Sequence, residues 1–172
     1  RARRLAGWLC SLIPLCILAT NGLCAASHGD FSRLAGKIDL KAVFPGAESI
    51  GNVQGDQPIA PALNGGKTIG YIFLNSDFTA ATGYSGRPIN IFVGIDLKGV
   101  IAGAQLVEHH EPIVLVGIPE AKIRAVIKGY TGRDIAALAR GQGGKHDIDI
   151  VSGATVSIMV IDDSILHSAL KV

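Results

Sequence analysis

The chain has 172 residues, 48% of them hydrophobic, and 16 Lys and Arg stand against 14 Asp and Glu for a formal net charge of +2. That length supports one domain of ordinary size with a real core. No basic run and no basic–aromatic cluster follows the first few positions, which argues against a nucleic-acid-binding surface.

Arg1, Arg3 and Arg4 precede an apolar run from Leu5 to Ala19, and small residues follow at Cys24-Ala25-Ala26-Ser27. A basic end, a short apolar stretch and a small-residue region make residues 1–26 read as a secretory signal peptide. A retained membrane anchor is the alternative, although Pro14 leaves less than the roughly 20 uninterrupted apolar residues that a spanning helix needs. All three cysteines lie in this leader, so a domain over residues 27–172 has no disulfide and no thiolate for zinc or an iron–sulfur cluster. Three of the 16 basic residues also lie there and all 14 acidic residues lie beyond it, so the domain carries 13 against 14, a net charge of −1.

Residues 28–42 read as a short helix, ended by Phe44-Pro45-Gly46-Ala47. Residues 51–66 are rich in Gly, Pro, Asn and Gln and read as an irregular loop. Thr68 to Leu74 and Ile89 to Ile95 are strand candidates, separated by a polar loop that holds Thr82-Gly83-Tyr84-Ser85-Gly86. Asp96-Leu97-Lys98-Gly99 fits a tight turn into a third strand, Val100 to Val107. Glu108-His109-His110-Glu111-Pro112 is a polar cluster at its end.

Ile113 to Ile118, bracketed by prolines, reads as a buried loop. Glu120 to Ile127 has the amphipathic helical spacing, and Asp134 to Arg140 gives a second short helix. A short strand, Ile148 to Val151, leads into a final helix from Val156 to Leu170 that buries Ile158, Ile161, Ile165 and Ala169. Its first turns are crowded with β-branched residues, so packing and not propensity must hold it. Strands first, then helices, then a strand and a helix imply an α+β fold with a mostly antiparallel sheet and flanking helices.

The stretch with the most chemistry is Asp149-Ile150-Val151-Ser152-Gly153-Ala154-Thr155. Small residues at a strand-to-helix junction let a bulky group approach the backbone, and the free N–H groups of a helix start favour a phosphate. The ordinary alternative is that Ser152 or Thr155 merely caps the helix, worth about 1 kcal/mol. His109 and His110 suggest a metal at first sight, but neighbours on a strand point to opposite faces, so no metal site is expected.

Asp149-x-x-Ser152-Gly153-Ala154-Thr155 resembles the flavinylation motif of the FMN-binding domain family, whose members include NosR and subunits of the Rnf and sodium-pumping quinone reductase complexes. Val43-Phe44-Pro45-Gly46-Ala47, Gly70 to Leu74, Thr82 to Pro88, Val107 to Pro112 and Ser157 to Asp163 look most like the NosR branch. So does the departure at Glu111-Pro112-Ile113, where the other branches carry Glu-Thr-Pro-Gly. The resemblance covers roughly residues 40–172.

The resemblance implies an FMN-type fold and a covalent FMN, joined through its phosphate to Thr155 by an ApbE-type flavin transferase. It places Ser152, Gly153 and Ala154 around the phosphate, with Asp149 as part of the transferase's pattern. Tyr84 is expected to offer the flavin ring a stacking face, and Glu111 to lie beside the flavin. Arg87 is read as a solvated surface residue, and Asp162 and Asp163 as a solvated helix face.

In function the resemblance implies an electron-transfer domain on the periplasmic face of the inner membrane. It would serve the nitrous oxide reductase system of denitrification, with a membrane part of the same protein continuing beyond residue 172. The residues show no acid–base pair or activated nucleophile, so electron transfer and not substrate turnover is expected. An Rnf-type subunit and a non-redox regulatory module are the competing expectations.

Overall fold

The computed structural model describes residues 29–53, 57–142 and 152–172. The expected leader, the strand Ile148 to Val151 and Asp149 lie outside the described residues.

Five strands form one antiparallel meander: β1 (Ser49–Ile50), β2 (Ile59–Asn64), β3 (Lys67–Leu74), β4 (Asn90–Asp96) and β5 (Ile101–Glu108), in spatial order β1-β2-β3-β4-β5. With the helices described below, this is the expected α+β architecture. The three strands read from apolar runs are present; β2 lies within residues 51–66, read as loop, and β1 lies just before them, at positions given no element. The Gly-Pro composition hid β2. Pro61 is tolerated because it lies just past the two-residue ladder with β1, where its carbonyl still accepts from Gly51 N–H at 2.9 Å. Asn64-Gly65-Gly66-Lys67 is the turn signal that marks the β2–β3 hairpin, with both glycines at positive φ (54° and 76°). In the β4–β5 turn, Asp96 Oδ1 accepts from the N–H groups of Lys98 and Val100.

Helices cover both faces of the sheet. On one face lie α1 (Asp30–Leu34) and α2 (Leu40–Val43), joined by a 3₁₀ turn at Ala35–Lys37, in place of the one short helix expected there. Phe31, Leu34, Val43 and Phe44 pack on Ile72, Leu74 and Phe92, with Phe31 edge-on to Phe92 at 5.3 Å between centroids. Asp77 anchors this layer by accepting from the first N–H groups of α1, at Asp30 and Phe31.

The other face carries α4 (Glu120–Lys128), α5 (Ile135–Ala139) and the long α6 (Thr155–Lys171). Ile91, Val93, Ile95 and Ile101 meet Ile123, Ile127, Ile158, Ile161 and Ile165 there, in the larger core. All four residues expected on the buried side of the final helix are buried. Asn75 stitches this helix to the sheet: its amide donates to Ile89 O and Ser164 Oγ, and its oxygen accepts from Ile91 N–H at 2.7 Å.

Two further expectations fail. Residues 112–116 form a short helix, α3 (Pro112–Val116), and not a buried loop, and Leu115 is 73% exposed. Proline suits the first turn of a helix, which explains the start at Pro112. Asp162 is not simply solvated: it accepts the Tyr130 hydroxyl at 2.5 Å, whereas Asp163 is exposed. Among the described residues no helix is long and apolar enough to cross a membrane.

Candidate functional site

The start of α6 is set by three small residues. Gly153 has φ +90°, a left-handed conformation that costs a side-chain-bearing residue strain. Ala154 is the N-cap, buried in the core and offering no side-chain hydrogen bond. Ser152 and Thr155 are exposed and neither caps the helix, so the ordinary capping role expected as the alternative is absent. The first turn therefore presents backbone donors without a side-chain cap, beside the exposed hydroxyl of Thr155.

Facing this turn is the loop that carries Tyr84. Gly83 N–H donates to Arg87 O and Gly86 N–H to Gly83 O, which closes a tight turn with the Tyr84 ring 77% exposed. Between loop and helix lies a cleft of about 600 Å³, within the usual range for small-molecule sites. Its described lining is Tyr84, Pro112, Gly117, Gly153, Ala154, Thr155, Val156 and Ser157, with no charged side chain among them. Tyr84, Gly153, Ala154 and Thr155 are thus brought together as expected; Ser152 is next to the lining, and Asp149 is outside the described residues.

Glu111 sits behind the lining and not in it. Only 1% exposed, it accepts from Tyr84 N–H (3.1 Å), Ser85 N–H (3.3 Å), the Ser85 hydroxyl (3.1 Å) and the Ser157 hydroxyl. Burial pushes its pKa up, but the four hydrogen bonds, led by Ser157, outweigh it and hold the carboxyl below its ordinary value. Ser157 and Ser85 are the residues that sequence reasoning missed. The signal for Ser157 was its place on the apolar face of the final helix, in line with Ile158, Ile161 and Ile165.

The polar cluster around the two histidines disperses. Glu108 pairs with Arg33 and accepts from Asn90, and the Arg33 hydrogen bond pulls its pKa down to about 2. His109 is nearly buried, its Nδ1 accepting from Glu111 N–H and its Nε2 lying 3.5 Å from Glu120, while His110 is exposed. Among the described residues no group of three or more His, Cys, Asp or Glu is placed to hold a metal ion. Arg87 is exposed and lines a separate pocket with Arg33, Asn90, Glu108 and His110.

An uncapped helix start, a left-handed glycine, an exposed hydroxyl and an aromatic ring around an apolar cleft suit a flat, phosphate-bearing ligand. The family model that matches this chain is the FMN-binding domain, over residues 83–170. The chain belongs to that family. The matched span runs from the Tyr84 loop to the end of α6, so it contains both walls of the cleft.

Among the relatives of this FMN-binding domain, the regulatory protein NosR of Pseudomonas aeruginosa is 37% identical over 168 residues, covering 94% of this chain and 23% of that protein. Protein NirI of Paracoccus denitrificans is 45% identical over 105 residues, covering 60% of this chain and 15% of NirI. A subunit of the ion-translocating oxidoreductase complex of Haemophilus influenzae is 34% identical over 125 residues, 69% of this chain and 58% of its own length. The chain therefore spans about a quarter of the NosR length and is NosR-like along nearly all of its own.

Proposed function

We propose that this domain carries FMN as a phosphoester on Thr155 and passes electrons as the periplasmic domain of a NosR-type protein, serving the nitrous oxide reductase system. The observation that carries the reading is the exposed Thr155 hydroxyl at the uncapped start of α6, on the rim of the cleft. FMN supplies the redox chemistry; the protein's residues hold and orient it. The N–H groups of the first turn of α6 would take the phosphate charge, worth up to about 1–2 kcal/mol. Gly153 and Ala154 would keep that approach open, Ser152 would flank it, and Tyr84 on the opposite wall would offer the flat ring a stacking face.

Attachment needs an activated flavin, because joining a free phosphomonoester to a hydroxyl would have to expel water. The Thr155 Oγ–phosphorus bond forms as the phosphoanhydride bond of a flavin dinucleotide breaks; the hydroxyl proton goes to solvent and a nucleoside monophosphate leaves. An ApbE-type transferase is the partner this chemistry calls for, with Asp149 in its recognition pattern. A tether matters in the periplasm, where a lost cofactor is not replaced. Electrons would pass to or from a membrane part of the same protein beyond residue 172.

The test is to co-express the chain with a flavin transferase and weigh it intact. Wild type is expected to gain one FMN-sized adduct and Thr155→Val none; an adduct that survives the substitution would sink the tether.

The second reading, favoured by the 34% identity to the ion-translocating oxidoreductase component, is a domain of an Rnf-type complex. It shares the tether and differs in the partner. Reduction of the loaded domain by a NosR-type membrane part, and not by Rnf-type membrane subunits, decides for the first.

A further inference from the structure

Glu111 is a buried carboxylate for which a cofactor-binding role leaves the contacts unexplained. Its four donors come from two separate segments: Tyr84 and Ser85 from the loop on one side of the cleft, Ser157 from the first turn of α6 on the other. Ser157 is two residues past Thr155 on the same turn, facing inward and 2% exposed. One anion thus ties the segment that carries Tyr84 to the segment that carries Thr155. The loop is shaped to admit it: a Cβ on Gly83 would lie 2.1 Å from Glu111 Oε1 and 2.5 Å from its carboxyl carbon.

We infer that Glu111 is a positioning residue for the flavin: it fixes the Tyr84 loop against the Thr155 turn and keeps one negative charge behind the cleft lining. This rests on the reading that FMN occupies the cleft. Two consequences separate from each other. The tie immobilises Tyr84, and therefore the ring that stacks on it. The charge disfavours added electron density on a nearby flavin, so it lowers the potential. Burial of the carboxylate away from screening solvent preserves that effect.

Glu111→Gln keeps the side-chain shape and removes the charge, and Ser157→Ala removes one tie and keeps the charge. On FMN-loaded protein, E111Q is expected to shift the midpoint potential upward and weaken the visible circular dichroism of the flavin. S157A is expected to weaken the dichroism with a smaller shift of potential. An E111Q protein with wild-type potential and wild-type dichroism overturns the inference.

A second arm uses the unloaded chain, with hydrogen exchange read at the Tyr84 and Ser85 amides. E111Q should speed exchange there by about tenfold or more, the equivalent of one charge-assisted hydrogen bond. Unchanged exchange overturns the tie. Wild type that takes up no FMN refutes the tether reading, and the exchange arm then still decides the role of Glu111. Should E111Q fail to fold, S157A and Ser85→Ala, each losing one hydroxyl donor, carry the same exchange measurement.

Discussion

Glu111 gives the domain a pH dependence whose sign can be worked out. Its folded pKa lies below the ordinary value of about 4.3, so its contribution to stability is fully present above that value and is lost as pH falls through the lower folded one. Urea unfolding across pH 3–7 should show E111Q less stable than wild type near neutrality, with a flatter acid limb. Equal slopes for the two proteins would show that Glu111 is not the ionised group. Glu108, held down to about 2 by Arg33, keeps some acid dependence in both, so the difference between the curves is the quantity to read. Asp77 runs the other way: burial pushes its pKa above the ordinary value, so its charged form costs the fold stability and acidification through that folded pKa relieves the cost. Gly83→Ala should cost about 1–3 kcal/mol in the same assay, because the added methyl displaces a carboxylate that four donors hold. The position of Thr155 was legible from three small residues before a helical pattern. The tie was not, because hydrogen bonds between residues 46 positions apart, as for Glu111 and Ser157, leave no local pattern.

Strand and helix periodicity carried most of the remaining reading. β3, β4, β5, α4 and α6 follow from apolar content and spacing: the helices lay one apolar face on a core, and β3 and β4, covered on both sides, feed both cores with alternate residues. α6 shows what spacing can and cannot say. Its buried isoleucines were read correctly, yet Ser157, Ser164 and Ser168 share their face, each with a hydrogen-bond partner. Ile165, 0% exposed, is central to this packing, and Ile165→Ala should cost about 2–5 kcal/mol by chemical denaturation, with an unchanged denaturant slope. Asn75→Ala should cost about 1–3 kcal/mol, since it strands Ile91 N–H and Ile89 O in the core. The failures have a physical origin too. β2 hid behind Pro61 and two glycines, and α3 was taken for a buried loop because Pro112 and Pro119 bracket an apolar run, whereas Pro112 opens a helical turn and Leu115 faces out.

At the scale of the molecule, the exposed large apolar side chains of the described residues gather toward the two ends of α6. Tyr84, Leu115, Val156 and Met159 belong to the elements around the cleft, and Tyr71, Leu97, Leu170 and Val172 line a groove of about 320 Å³ at the far end. The described cleft lining holds no charged side chain and the Glu111 carboxylate is buried behind it, so the described residues give an encounter there little electrostatic steering. Stopped-flow reduction of the loaded domain should change by less than about twofold between 50 and 300 mM salt; a steep fall would place a charged patch at the encounter surface. The bare helix start has a consequence of another kind. A helix that begins on Ala154 lacks the cap that most helices build from their own sequence. A phosphodiester at Thr155, as proposed, would supply that cap after translation, and the flavin would then be a structural part as well as a redox one. The loaded domain should melt a few degrees higher than the unloaded one and resist protease longer, which would let a cell's quality control tell a finished protein from one still waiting for its cofactor.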